Sequence, residues 1–162
     1  MRLKFLIIAA LWLTCLPHAA AQERIANSIV KIYTTYDQPN YFRPWQMRGQ
    51  QNRIGSGSII AGNRILTNAH VVSDHTFIRV RRAGQAEKYV AAVAAVSHEL
   101  DLAILTVVDE AFFHGARALK IGDLAQVGEK VSAYGFPKGG TRITVTQGIV
   151  SRIERKLYSH SQ

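Results

Sequence analysis

Between Ile25 and Ile153 the apolar residues come in short clusters divided by Gly, Pro, Asn, Asp and Ser, and this interruption limits the fold more than any other feature of the chain. Such spacing argues for many short strands rather than a few long helices. Ile29-Val30-Lys31-Ile32-Tyr33 is β-branched and aromatic, as strands prefer. Further strands are expected over Ile54–Ala61, turning at Gly62-Asn63 into Ile65-Leu66-Thr67, and over Phe77–Arg81, where Ile78 and Val80 alternate with Arg79 and Arg81. Leu102–Val108 is an almost unbroken apolar run and is expected to be a strand buried on both faces. Lys130–Phe136 and Arg142–Ile153 complete the set. Lys88–Ser97 stays undecided, because its alanines favour helix while Val90, Val93 and Val96 fit either period. Asp37–Arg53, with Asn, Pro, Gly and aromatics in no period, is expected to be a long surface loop of the kind that is seldom idle. The expectation is an all-β domain, sandwich or barrel.

Residues 1–21 stand apart. Arg2 and Lys4 precede the apolar run Phe5–Leu16, which leads to Pro17-His18-Ala19-Ala20-Ala21, the three regions of a secretory signal peptide with cleavage expected after Ala21. The run is short for a bilayer span, so no stable membrane span is expected after cleavage. Cleavage would also remove Cys15, the one cysteine, leaving residues 22–162 to rely on packing in an oxidising compartment, periplasmic or secreted. The net charge of +9 falls by two when Arg2 and Lys4 leave. A surplus of that sign favours acidic partners or membrane surfaces and does not dictate fold.

Four stretches carry chemistry: Gly55-Ser56-Gly57-Ser58-Ile59-Ile60, Ile65-Leu66-Thr67-Asn68-Ala69-His70-Val71-Val72, Asp101-Leu102-Ala103-Ile104-Leu105, and Thr144-Val145-Thr146-Gln147-Gly148-Ile149-Val150-Ser151. In this order, and across nearly all of Ile25–Ile153, the chain resembles the trypsin-like peptidases of the HtrA/Deg family. The segment Pro39–Gln46 is similar to a subgroup of Deg proteases from plants and bacteria. The resemblance implies a chymotrypsin fold, with the first β-barrel over about 25–108 and the opening hairpin of an incomplete second barrel over about 119–155. It also implies that His70 is the general base and Asp101 its orienting acid. A serine hydroxyl is a poor nucleophile at neutral pH, so an imidazole must take its proton, and a buried carboxylate must hold that imidazole in one tautomer.

Taken singly, His70 reads as a surface or structural histidine and Asp101 as a strand-start carboxylate; the Thr67–Val72 context and the order of the motifs reverse both. His70 with His75, or His98 with Glu99 and Asp101, matches no defensible zinc spacing, so neither metal nor cofactor is expected. Gly55-Ser56-Gly57 lacks the Lys-Ser/Thr and helix of a phosphate cradle. The basic groups Arg79–Arg82 and Arg152–Lys156 read as solvated faces rather than a nucleic-acid surface.

The family nucleophile lies in a Gly-x-Ser-Gly-Gly turn, and no such segment occurs in these residues. Ser132 and Ser151 are expected inside strands and Ser159 in an unpatterned tail, none in the tight turn a nucleophile needs. The expectation is therefore a C-terminally truncated serine endopeptidase of extracytoplasmic protein quality control, acting by family on unfolded or damaged proteins, with a possible homo-oligomeric assembly, and inactive as it stands. The rival is a non-catalytic peptide-binding protein on the same scaffold.

Overall fold

In a computed structural model, described here for residues 25–137 and 140–154, the chain forms a closed six-stranded barrel and a separate two-stranded hairpin. The proposed signal peptide and Ser159 lie outside the described residues. The barrel strands are β1 (Ile29–Tyr36), β2 (Gln51–Ile60), β3 (Arg64–Thr67), β4 (His75–Arg82), β5 (Tyr89–Ser97) and β6 (Leu102–Val107). They pair antiparallel in the order β1-β2-β3-β6-β5-β4, and β4 closes the ring on β1. Closure leaves this sheet no open edge.

Side chains that point inward form the core: Val30 and Ile32 of β1, Ile59 of β2, Ile65 of β3, Ile78 and Val80 of β4, and Ala103, Leu105 and Val107 of β6. Inside the barrel, where side chains crowd, the sequence places Gly57, whose added Cβ would meet Ile65 at 2.9 Å and Ile32 at 3.0 Å. Two short helical turns plug the barrel. The turn α1 (Ala69–Val72) seats Val71 and Val72, while a 3-10 turn at Glu110–Phe113 inserts the fully buried Phe112 edge-on against Tyr89. Asp109 caps the second turn by accepting from the Ala111 N–H at 2.9 Å.

Three expectations need correction. Leu102–Val107 is not buried on both faces, since Leu102 and Thr106 are exposed while Ala103, Leu105 and Val107 are buried; a barrel wall has one inner and one outer face. Asp37–Arg53 is not wholly a loop. Gln51, Asn52 and Arg53 open β2 opposite Tyr36, Thr35 and Thr34, because polar residues suffice on a wall that faces water. Ser151 lies outside a strand, two residues beyond the last strand residue, Ile149. The undecided Lys88–Ser97 is strand β5, where pairing with β4 and β6 overrides the alanines, and Ala94 is skipped in an irregularity between Val93 and Ala95.

The hairpin joins β7 (Lys130–Gly135) to β8 (Thr144–Ile149). It leans on the barrel through a few polar contacts. The Phe136 N–H donates to Ser56 Oγ at 2.8 Å, Arg81 donates to the Thr141 carbonyl at 3.1 Å, and Lys31 donates to the Gly140 carbonyl. Val131, Val145 and Ile149 remain exposed.

Candidate active site

His70 owes its place to the sharp change from β3 to α1. Thr67 pairs with Ala103 at the end of β3, Asn68 is extended, and the chain then turns so that Ala69, Val71 and Val72 dive into the barrel. The remaining residue of the turn, His70, is thereby thrown outward, with 46% of its side chain exposed. The turn sits close on β2 only because residue 55 is glycine: a Cβ there would lie 2.4 Å from Val71 Cγ1.

Asp101 arrives on the tight connection from β5 to β6, in a left-handed conformation with φ of 49° that Asp tolerates better than most residues. Its side chain is only 7% exposed. Oδ2 lies 2.7 Å from His70 Nδ1, and Oδ1 accepts from the His70 backbone N–H at 2.8 Å. Asn68 Nδ2 donates to both Asp101 Oδ2 and the Asp101 carbonyl, at 3.1 Å each. A carboxylate accepts only, so the short contact assigns the proton to Nδ1 and leaves Nε2 as the ring atom with the lone pair. Sequence reasoning thus named two residues that the fold does bring together. It did not single out Asn68, which orients the acid, or Arg53, which donates to the His70 carbonyl. Asn68 lies inside a quoted motif, and Arg53 had no signal, being one arginine among many.

His75 does not join His70 as a ligand; its Nδ1 lies 2.8 Å from the Val72 carbonyl. Among the described residues no three His, Cys, Asp or Glu gather as a metal-binding group. A cleft of about 630 Å³ separates the barrel from the hairpin, lined by Ser56, Thr67 and Asn68 on one side and by Ser132 and Tyr134 on the other. It reaches Asn68 without being lined by His70 or Asp101. Ser132 therefore faces the cleft from a regular strand, and Ser151 is exposed beyond β8.

A closed antiparallel barrel with a paired imidazole and carboxylate at its rim defines the class of chymotrypsin-fold proteases. Residues 55–162 match the profile of the trypsin-like peptidase domain. The chain is 45% identical over 134 residues to the mitochondrial protease Do-like 4 of Arabidopsis thaliana, an alignment covering 83% of this chain and 26% of that protein. It is 41% identical over 153 residues to the putative chloroplastic protease Do-like 6 of the same plant, covering 94% and 69% respectively. Among solved structures, the HtrA-type protease AlgW with a decapeptide superposes with a TM-score of 0.66 at 25% identity, covering 88% of this chain and 47% of that one. The chain belongs to the trypsin-like peptidase family, and within it to the HtrA/Deg proteases. It spans about a quarter of the length of the first curated relatives it matches.

Proposed function

We propose that this chain carries the general base, His70, and the orienting acid, Asp101, of a serine endopeptidase of extracytoplasmic protein quality control. The observation that carries the reading is the 2.7 Å contact between His70 Nδ1 and Asp101 Oδ2 at the barrel rim. With Nδ1–H given to Asp101, Nε2 is the atom that takes the hydroxyl proton as a serine attacks a peptide carbonyl, and it later returns that proton to the leaving amine. Asp101 steadies the imidazolium formed between those steps, and Asn68 keeps the carboxylate turned toward the ring.

The substrates are unfolded or damaged polypeptides; the AlgW structure with a bound decapeptide supports a peptide-binding cleft in this class. A compartment outside the cytosol accords with the leader-like residues 1–21, and the relatives named mitochondrial and chloroplastic show that the family is not confined to a periplasm. Assembly into homo-oligomers is part of the same reading. The 162 residues alone are proposed to be inactive, since no serine in them stands in a Gly-x-Ser-Gly-Gly turn.

Labelling with a fluorophosphonate tests both halves of the proposal. The 162-residue chain is expected to remain unlabelled and to leave unfolded casein intact. A polypeptide that continues this chain into a Gly-x-Ser-Gly-Gly segment is expected to label and cleave, and to lose about six orders of magnitude in kcat on His70→Ala. Labelling of Ser132, Ser151 or Ser159 in the short chain, or a continued chain indifferent to His70→Ala, overturns the assignment.

A further inference from the structure

The connection between β1 and β2 is a narrow, ordered finger. Pro39 and Met47 form a β-bridge across it, the Asn40 N–H donates to the Gln46 carbonyl at 2.9 Å, and the Arg48 N–H donates to the Gln38 carbonyl at 2.9 Å. At the tip, the Arg43 N–H donates to the Asn40 carbonyl at 2.9 Å and the Gln46 N–H to the Arg43 carbonyl at 2.8 Å, while Asn40 Oδ1 accepts from the Phe42 N–H at 3.1 Å. These backbone groups are thus satisfied within the finger, and its apolar side chains are turned outward. Phe42 is 91% exposed, and Tyr41 and Trp45 are each 81% exposed.

Three aromatic rings held in water on a projection braced by its own hydrogen bonds call for a partner. Their chemistry selects one. Arg43 lies among the rings and Arg48 just after them in the sequence, and no Asp or Glu occurs between Asp37 and Asp74. Those two carboxylates lie at the root and are engaged there, Asp37 Oδ1 by the Gly49 N–H at 3.1 Å and Asp74 Oδ2 by Gln38 Nε2 at 3.3 Å. The tip is thus convex, aromatic and cationic. A convex tip suits a deformable surface, rings with a polar edge suit the boundary between acyl chains and headgroups, and arginines are drawn to anionic lipid. Internal hydrogen bonding of the backbone lets the side chains enter without stranding peptide groups in lipid.

We infer that the 37–50 finger is a peripheral membrane anchor that seats Tyr41, Phe42 and Trp45 in the interface of an anionic bilayer, with Arg43 and Arg48 against its headgroups. It needs no spanning helix. It also sets the orientation of the site, because the strand leading out of the finger carries Arg53, which holds the His70 carbonyl.

The chain contains two tryptophans, Trp12 and Trp45, so Trp12→Phe leaves the finger as the sole indole reporter in the full chain. That chain is titrated with vesicles of phosphatidylcholine alone or with roughly one-third phosphatidylglycerol. Expected are a blue shift of Trp45 and its quenching by brominated acyl chains with the anionic vesicles only, weakened about tenfold by raising salt to about 0.5 M. Tyr41→Ser with Phe42→Ser is expected to weaken binding about tenfold or more, and Arg43→Gln with Arg48→Gln to erase the preference for anionic lipid, both with an unchanged circular dichroism spectrum. Attachment to vesicles without quenching of Trp45 would mean that another segment binds, and overturns the inference. So would a lipid-independent blue shift that grows with protein concentration, which marks a second copy, or one produced only by an unfolded polypeptide.

Discussion

A carboxylate withdrawn from water must be met by donors, and Asp101 has them on both oxygens: the His70 N–H on Oδ1, and His70 Nδ1 and Asn68 Nδ2 on Oδ2. The same Asn68 amide also ties the Asp101 carbonyl. Asn68, although it is the residue before α1, makes no side-chain cap there, and the His70 N–H of that turn is taken by Asp101 Oδ1 instead. Asn68→Ala removes both bonds and leaves a buried acceptor short of a donor. Urea unfolding is expected to show a loss of about 1–3 kcal/mol, with the imidazole nitrogen NMR signals of His70 moving toward a mixture of tautomers. Unchanged stability and tautomer together would show that Asn68 does not position the pair. At this scale the sequence motifs were enough to single out His70 and Asp101 as a pair that the fold brings to 2.7 Å, because the proton chemistry proposed for them fixes which residue types are wanted. Asn68 was not legible, because its role depends on a left-handed Asp residue 33 positions later being folded back over it.

The elements owe their positions to small residues as much as to apolar ones. Gly55 allows α1 to press Val71 onto β2, and the outward aim of His70 follows from how deeply Val71 and Val72 sit. Gly55→Ala forces a rigid β-branched side chain to move and is expected to cost about 1–3 kcal/mol. Combining it with Val71→Ala should give a double-mutant coupling of about 1 kcal/mol in the compensating direction, measured by chemical denaturation. Additivity within about 0.3 kcal/mol would place the strain elsewhere. Strands β1 to β4 follow from local composition, with boundaries off by a few residues where polar pairs extend β1 and β2. Strand β5 does not follow, since Tyr89-Val90-Ala91-Ala92 takes its extended form from partners on β4 and β6 that no local window contains.

Across the whole molecule the core belongs to the barrel, and the hairpin is attached by polar contacts. Lys31 is the buried member of that seam: it donates to the Gly140 carbonyl, and its ammonium lies near the rings of Tyr33, at 5.2 Å, and Phe136, at 5.6 Å. Burial, and after it the neighbouring Arg81 charge, hold the Lys31 pKa below its ordinary 10.5. Between that lowered value and 10.5 the unfolded chain keeps a proton the folded chain has shed, so raising the pH through this window favours the folded state. Relative to Lys31→Met, whose side chain does not titrate, the urea midpoint of the native chain is expected to rise as pH climbs toward 10.5. A constant or falling difference would remove the burial argument.

What the sequence by itself determined was the strand-rich class, the alternation that turns Ile78 and Val80 inward, and the two residues, His70 and Asp101, that the fold brings within hydrogen-bond distance. Each is written locally, in side-chain period or in residue type. Only the tertiary structure decided that Leu102–Val107 has a wet face, that Asn68 serves Asp101, and that Lys31 lies buried against Phe136 and the Gly140 carbonyl. Those outcomes depend on closing a ring of six strands, which brings residues tens of positions apart within hydrogen-bond distance and fixes which side of every strand meets water.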